Sequence, residues 1–170
     1  MPELPEVETI RRVLEPQLQN RTIEKVTVNH KDAVAYPSVD DFCLGLTGQM
    51  VSHIQRRGKF LIICMSSGVR VILHLRMAGG ILFTPKNCPE EEYTHLFFHF
   101  DQGQKLLFSD MRRFGRFWLL KKEEKDTFSG IAKLGIEPFD PKLSADYLKT
   151  YLGTRKKAIK TCLLDQSIIA

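Results

Sequence analysis

The chain begins Met1-Pro2-Glu3-Leu4-Pro5-Glu6-Val7-Glu8, and its second residue is the one best placed for covalent chemistry. Proline is small enough for the methionine before it to be clipped, which would leave Pro2 as a free secondary amine. An α-amino group titrates near ~7.7–8.0, so a useful fraction is an unprotonated nucleophile at neutral pH. When such an amine attacks a sugar C1′, the adduct opens to an iminium ion that has no N–H proton to lose. Its fixed positive charge is an electron sink for later C–H cleavage. Glu3 supplies a carboxylate for proton transfer beside it. With Met1 still attached, the Pro2 nitrogen would be a tertiary amide and inert. A Met-Pro start is common, and only its context gives it meaning.

Three further segments supply that context. Arg56-Arg57-Gly58-Lys59-Phe60 sets three cations within four residues. It reads either as a solvated turn or as a phosphate grip with a lysine directed into a cleft. In His74-Leu75-Arg76-Met77-Ala78-Gly79-Gly80 the methionine falls at the tip of a glycine turn. Asp110-Met111-Arg112-Arg113-Phe114-Gly115-Arg116 again places an apolar side chain among cations in a loop. Methionine and phenylalanine are ordinarily core residues. Apolar wedges with arginine neighbours are also what unstacks and kinks DNA, and an arginine between wedges can fill the hole left by an extruded base. If they are wedges, Met77 and Phe114 should be exposed on the face that carries Pro2 and Lys59.

The elements that must position these residues follow from periodicity. Val7, Ile10, Leu14 and Leu18 recur at helical spacing, predicting an amphipathic helix over 5–18 with Pro16 as a kink or an early end. Its N-terminus is acidic, as the helix dipole favours. Short β-rich runs follow at Thr22–Val28, Lys59–Met65, Val69–Leu75, Gly80–Phe83, His95–Phe100, Lys105–Phe108 and Arg116–Leu120, with a short helix near Val39–Leu46. Glycine and serine turns between them predict an antiparallel sandwich. Gly135–Pro141 reads as a linker, and helices are expected over Asp146–Leu152 and Thr154–Leu164.

The 170 residues are 43% hydrophobic and 26% charged, a composition of globular proteins. No apolar run approaches the ~18 residues of a membrane span, and the acidic start is unlike a signal peptide, so a cytoplasmic location is expected. Cys43, Cys64, Cys88 and Cys162 are too scattered for a zinc site or a disulfide framework and are expected to be reduced and mostly buried. The net charge of +5 favours a polyanionic partner.

Taken in order, Pro-Glu-Leu-Pro-Glu-Val-Glu-Thr-Ile-Arg-Arg, Arg-Arg-Gly-Lys-Phe, His-Leu-Arg-Met, Asp-x-Arg-Arg-Phe-Gly, Leu-Gly-x-Glu-Pro and Leu-Leu-Asp-Gln resemble the formamidopyrimidine-DNA glycosylase family, bacterial enzymes that excise oxidised purines and nick the strand. The resemblance covers essentially the whole chain, and Leu4 in place of glycine points away from the related oxidised-pyrimidine branch. It implies a two-layer antiparallel β-sandwich with an N-terminal helix, residues 1–135 forming the catalytic domain. Residues 136–170 would be a linker and the first helices of a helix-two-turns-helix domain. Relatives continue into the rest of that domain and a four-cysteine zinc finger, and the apolar end Ser167-Ile168-Ile169-Ala170 adds to the expectation of a truncated chain. The family's zinc belongs to the finger, so no cofactor is expected in this stretch.

Carried over by position, the resemblance makes Pro2 the Schiff-base nucleophile, Glu3 the general acid and Lys59 the lysine of the elimination steps. Met77, Arg112 and Phe114 match the triad that fills the gap after base flipping, with Arg112 facing the estranged cytosine. His74 and Arg155 match phosphate contacts. Tyr93 of Tyr93-Thr94-His95 stands where many relatives carry the first histidine of His-x-His, a DNA contact. The implied partner is double-stranded DNA bearing an oxidised purine or an abasic site, bound by a monomer with no membrane involved. A catalytically inactive damage-binding fragment is the alternative, through a missing clamp or a retained Met1. An N-terminal-proline tautomerase is a remoter one, since it needs no Arg56-Arg57, Met77 wedge or Arg112-Arg113.

Overall fold

Strands rich in Val, Leu, Ile and Phe have apolar faces to hide, and here two sheets hide theirs against each other. The computed structural model describes residues 2–84 and 92–170; Met1 and Cys88 lie outside the described residues. The first sheet is ordered β1 (Ile23–Val28), β7 (Thr94–Phe100), β8 (Lys105–Ser109), β6 (Gly80–Thr84). The second is ordered β2 (Val34–Tyr36), β9 (Arg116–Leu120), β5 (Arg70–His74), β4 (Phe60–Met65), β3 (Val51–Arg57). The pairings are antiparallel except β2 with β9, which is parallel. The expected two-layer sandwich with flanking helices is the observed fold.

The core between the sheets is aromatic. Phe117 meets the edge of Phe108 with ring centroids 5.0 Å apart, and Phe98 and Phe42 close around it. Each such ring removed from water contributes about 1.5–3 kcal/mol. A smaller cluster of Phe60, Ile72, Trp118 and Leu120 lies apart from it, with Ile131 and Leu134 packed against it.

Helix α1 (Leu4–Leu18) buries Val7, Leu14 and Leu18 in the core, the face its apolar spacing marks. Glu3 is its N-cap, and the Glu6 carboxylate, one turn in, accepts the Glu3 N–H at 3.0 Å. Pro16 neither kinks nor ends the helix short of Leu18. It sits exposed in the last turn, where the absent N–H forfeits only one backbone bond. Helix α2 (Val39–Leu46) is capped by Ser38 and drops Phe42 and Leu46 into the core.

Strand β3 has no counterpart among the sequence-predicted runs. Its register shifts between Val51 and His53, so only Val51 and Ile54 point inward and period-two alternation is lost. Arg56 and Arg57 therefore belong to a strand, neither to a solvated turn nor to a phosphate grip. Both are spent within the protein. Arg56 pairs with Glu8 of α1 at 3.2 Å and with Glu137 at 2.8 Å, and Arg57 pairs with Glu137 at 2.7 Å.

Residues 136–170 are tied back to the sandwich. Besides the Glu137 pairs, Ile136 bridges Ile169, Gly135 N–H donates to Gln166, and the Tyr147 hydroxyl donates to Ile168 O at 2.8 Å. The apolar end is not left in water, for Ile168 is fully buried. Helix α3 (Ala145–Leu152) is close to its predicted span, but α4 covers only Ile159–Leu163. It does not begin at Thr154; Ala158 is the N-cap, and Arg155 folds back to Tyr151 O and Asp165 instead of extending the helix. Among the described cysteines, Cys64 and Cys162 are buried and Cys43 half-buried, all free thiols, with burial raising the pKa of Cys43 and Cys64.

Candidate active site and nucleic-acid interface

Three neighbouring strands of the second sheet end at one edge, and the candidate site is built there. Phe60 of β4 pairs with His74 of β5, which in turn pairs with Arg116 of β9. Lys59 stands immediately before this row. The edge opens into a cleft of about 620 Å³ whose walls include Lys59, His74, Met77, Phe114, Arg116 and Gln166.

The turn that presents Lys59 is held through both backbone polar groups of Gly58. Gly58, at φ +53°, donates its N–H to Glu137 at 2.7 Å, and its carbonyl accepts from Arg56 at 2.9 Å. Burial pushes Glu137 upward, but the Gly58 N–H and the two guanidiniums outweigh it and hold its carboxyl below the usual range. Because Arg56 also grips Glu8, one guanidinium fixes both the Lys59 turn and the helix that carries Pro2 and Glu3. Hydrogen bonds from Arg11, joined by Arg12 and Arg56, overcome burial and hold Glu8 at about 2.

Lys59 reaches Glu3 directly, with Nζ 2.5 Å from Oε2. The lysine side chain is largely buried and the glutamate half exposed. Pro2, half-buried, is the residue next to that carboxylate. The fold thus brings the carboxylate next to Pro2 in the chain against the ammonium of a cleft residue almost sixty positions away in sequence.

Met77 and Phe114 stand on the same cleft, 43% and 47% exposed, on separate loops. In the Met77 loop the Gly79 N–H donates to Leu75 O at 3.0 Å, and a Cβ on Gly79 would lie 2.4 Å from that oxygen. The Phe114 loop is organised by Asp110, 1% exposed. Its carboxylate accepts the N–H groups of Arg112, Phe114 and Gly115 at 3.0, 2.9 and 2.7 Å. A Cβ on Gly115 would meet the Phe108 ring at 2.4 Å, so only glycine lets the loop lie against the core. Arg112 is exposed and stacks its guanidinium over Phe114 at 5.0 Å from the ring centroid. Asp110 was legible only as part of a motif; an aspartate opening a glycine-containing loop is the local signal for such capping.

His74 is buried, and its Nδ1 accepts the Arg76 N–H at 3.0 Å, leaving Nε2 to carry the proton. Burial, with Arg76 and Lys59 nearby, lowers its pKa to about 4. It enters the cleft as a neutral N–H donor. Tyr93 is exposed at the start of β7, and its carbonyl accepts the Asp110 N–H, which places it behind the Phe114 loop. Arg155 is not among the cleft-lining residues; it pairs with Asp165 at 3.0 Å. Among the described residues no group of three His, Cys, Asp or Glu side chains is placed to hold a metal ion. No helix among them is long and apolar enough to cross a membrane.

Comparison with known proteins identifies relatives of the same fold. A formamidopyrimidine-DNA glycosylase of Moorella thermoacetica is 42% identical over all 170 residues of this chain, which span 62% of that relative. One from Ligilactobacillus salivarius is 40% identical over the same residues. The crystal structure of the Lactococcus lactis enzyme bound non-covalently to DNA containing an abasic site superposes with a TM-score of 0.91 at 31% identity, covering 99% of this chain and 64% of that one. The same enzyme in complex with DNA containing a formamidopyrimidine-dG lesion matches as well. The chain spans less than two thirds of the length of these relatives. Residues 1–117 match the formamidopyrimidine-DNA glycosylase N-terminal domain, and the chain belongs to that family.

Proposed function

We propose that the chain carries the catalytic half of a bifunctional DNA glycosylase that removes oxidised purines such as 8-oxoguanine and formamidopyrimidines and then cleaves the strand as an abasic-site lyase. The observation that carries the reading is the Lys59–Glu3 pair beside Pro2, on a cleft walled by Met77 and Phe114. Double-stranded DNA bearing an oxidised purine or an abasic site is the proposed partner, met by a protein monomer. A cytoplasmic site of action accords with that substrate.

In the proposed sequence Met1 is first removed, freeing the Pro2 nitrogen. The damaged nucleotide is flipped into the cleft, with Met77 and Phe114 entering the stack and Arg112 facing the orphaned base. The Pro2 lone pair attacks C1′ and the C1′–N bond to the base breaks, the base leaving with the electron pair and taking a proton from water. The Pro2 nitrogen passes its N–H proton to the Glu3 carboxylate, the C1′–O4′ bond then opens with O4′ taking that proton from Glu3, and the C1′–N bond becomes an iminium. Loss of a C2′ proton feeds electrons toward that cation and expels the 3′ phosphate. Lys59, beside Glu3, serves the phosphate and these proton transfers. The His74 N–H, neutral at physiological pH, donates to backbone phosphate, and Tyr93 and Arg155 are assigned to outer DNA contacts.

Borohydride reduction tests the reading, because it freezes an iminium as a stable amine. The protein with Pro2 exposed should crosslink to abasic-site DNA, and Pro2→Gly should trap less but not zero, since a primary amine still forms a Schiff base. Intact mass establishes whether Met1 is gone. Trapping that survives acetylation of the N-terminus would refute the nucleophile. Lesion binding without any trapping by Met1-free protein would leave a damage-binding module.

A further inference from the structure

Arg116 is a cleft residue that the proposed chemistry leaves unused. It opens β9 and pairs directly with His74 of β5, so the two side chains project from the same face of the sheet on adjacent strands about 4.8 Å apart. Its Nη1 donates to two carbonyls of the wedge loop, Arg113 O at 2.7 Å and Gly115 O at 2.8 Å. Among the described residues no carboxylate pairs with it, in contrast to Arg56, Arg57 and Lys59, each satisfied by a glutamate. Among the described residues nothing accepts from Nε or Nη2, on a guanidinium already held in place by Nη1. A planar fork with two parallel N–H groups matches the oxygens of a phosphate.

We propose that Arg116, together with the Nε2–H of His74, forms a site for one DNA backbone phosphate beside the wedge; the inference rests on the DNA-cleft reading above. Its consequence is positional. Arg116 is fastened to the loop that carries Arg112 and Phe114, so a phosphate bound there sets the register of the wedge against the strand. Contacts to phosphate position a protein on the duplex while base contacts specify sequence. Little rotamer freedom remains to be lost on binding, because Nη1 is anchored in the free protein.

The experiment is a salt titration of binding to a short duplex containing a tetrahydrofuran abasic analogue. Each neutralised phosphate contributes about −0.9 to the slope of log K against log salt. Arg116→Gln should flatten the slope by about 0.9 and weaken binding on the order of tenfold at low salt. A residue that only ties loop carbonyls would lower thermal stability and leave the slope unchanged, and that result overturns the proposal. Should the Gln variant fail to fold, Arg116→Lys carries the test on duplexes with single neutral methylphosphonate linkages. One linkage should penalise wild type at least severalfold more than the Lys variant, because the fork is lost. Equal penalties at every linkage overturn the site. Wild-type protein that neither binds this duplex nor traps abasic DNA would instead refute the underlying DNA reading.

Discussion

Lys59 Nζ lies 2.5 Å from Glu3 Oε2, so the two carry opposite charges in contact at the rim of the cleft. The pair joins the tip of α1 to the start of β4. It gives the site a proton donor and a proton acceptor within one hydrogen bond before any substrate arrives.

Breaking that pair should separate two activities. Lys59→Ala is expected to slow processing of duplex with an intact 8-oxoguanine by roughly 10²–10⁴-fold, the usual worth of a positioned acid or base. Cleavage of preformed abasic DNA should fall less, because base loss no longer has to be served. Single-turnover rates on both substrates decide it. Equal losses would make Lys59 a phosphate contact only.

The exposure of Met77 and Phe114 makes a second prediction. Met77→Ala and Phe114→Ala should cost little stability, within about 0.5–1 kcal/mol by urea unfolding, because neither side chain leaves a core cavity. The ratio of affinities for lesion and normal duplex should nevertheless fall, since unstacking a step costs a few kcal/mol that the wedge offsets. An unchanged ratio would return both residues to ordinary surface.

Arg56 and Glu137 should behave oppositely, as stability residues. Arg56→Met or Glu137→Gln leaves a partly buried charge short of a partner and is expected to cost about 2–4 kcal/mol in urea unfolding. Both changes loosen the Gly58 peptide, so activity should fall with stability and recover in the cold.

The pH dependence of stability carries a mark of His74. Its pKa is about 4 when folded against 6.5 in the ordinary range, so between those values the unfolded chain binds the extra proton. Stability from this group is complete above pH 6.5 and lost as pH falls toward 4, by roughly 3 kcal/mol. His74→Phe should remove that loss from a urea-denaturation series. Glu8, held at about 2 against 4.5, adds a separate loss only below pH 4.5. No change of slope in the His74→Phe series would mean the imidazole is charged in the folded protein.

Most strands were legible because their apolar runs are local. Phe60–Met65, Arg70–His74 and Arg116–Leu120 are each an unbroken or nearly unbroken apolar run, buried on both faces of the sheet. The helix of Leu4–Leu18 was equally plain, and so was the covalent logic of a proline behind methionine, which depends on bond chemistry alone. The glycine turns at Ala78-Gly79 and Phe114-Gly115 announced loops with apolar tips, though not the face those tips would occupy.

What tertiary structure decided was which charges face the cleft. Arg56, Arg57 and Lys59 are indistinguishable as a run of cations, yet two are consumed by Glu8 and Glu137, and only Lys59 reaches the cleft. The partners lie on α1 and at residue 137, far away along the chain, and Coulomb attraction depends on distance in space. Burial likewise makes His74 a neutral donor, a consequence of desolvation that sequence does not display. The residues that could do chemistry were determined by sequence; the meeting of Glu3 with Lys59, and of Met77 with Phe114 across one cleft, required two sheets to pack face to face.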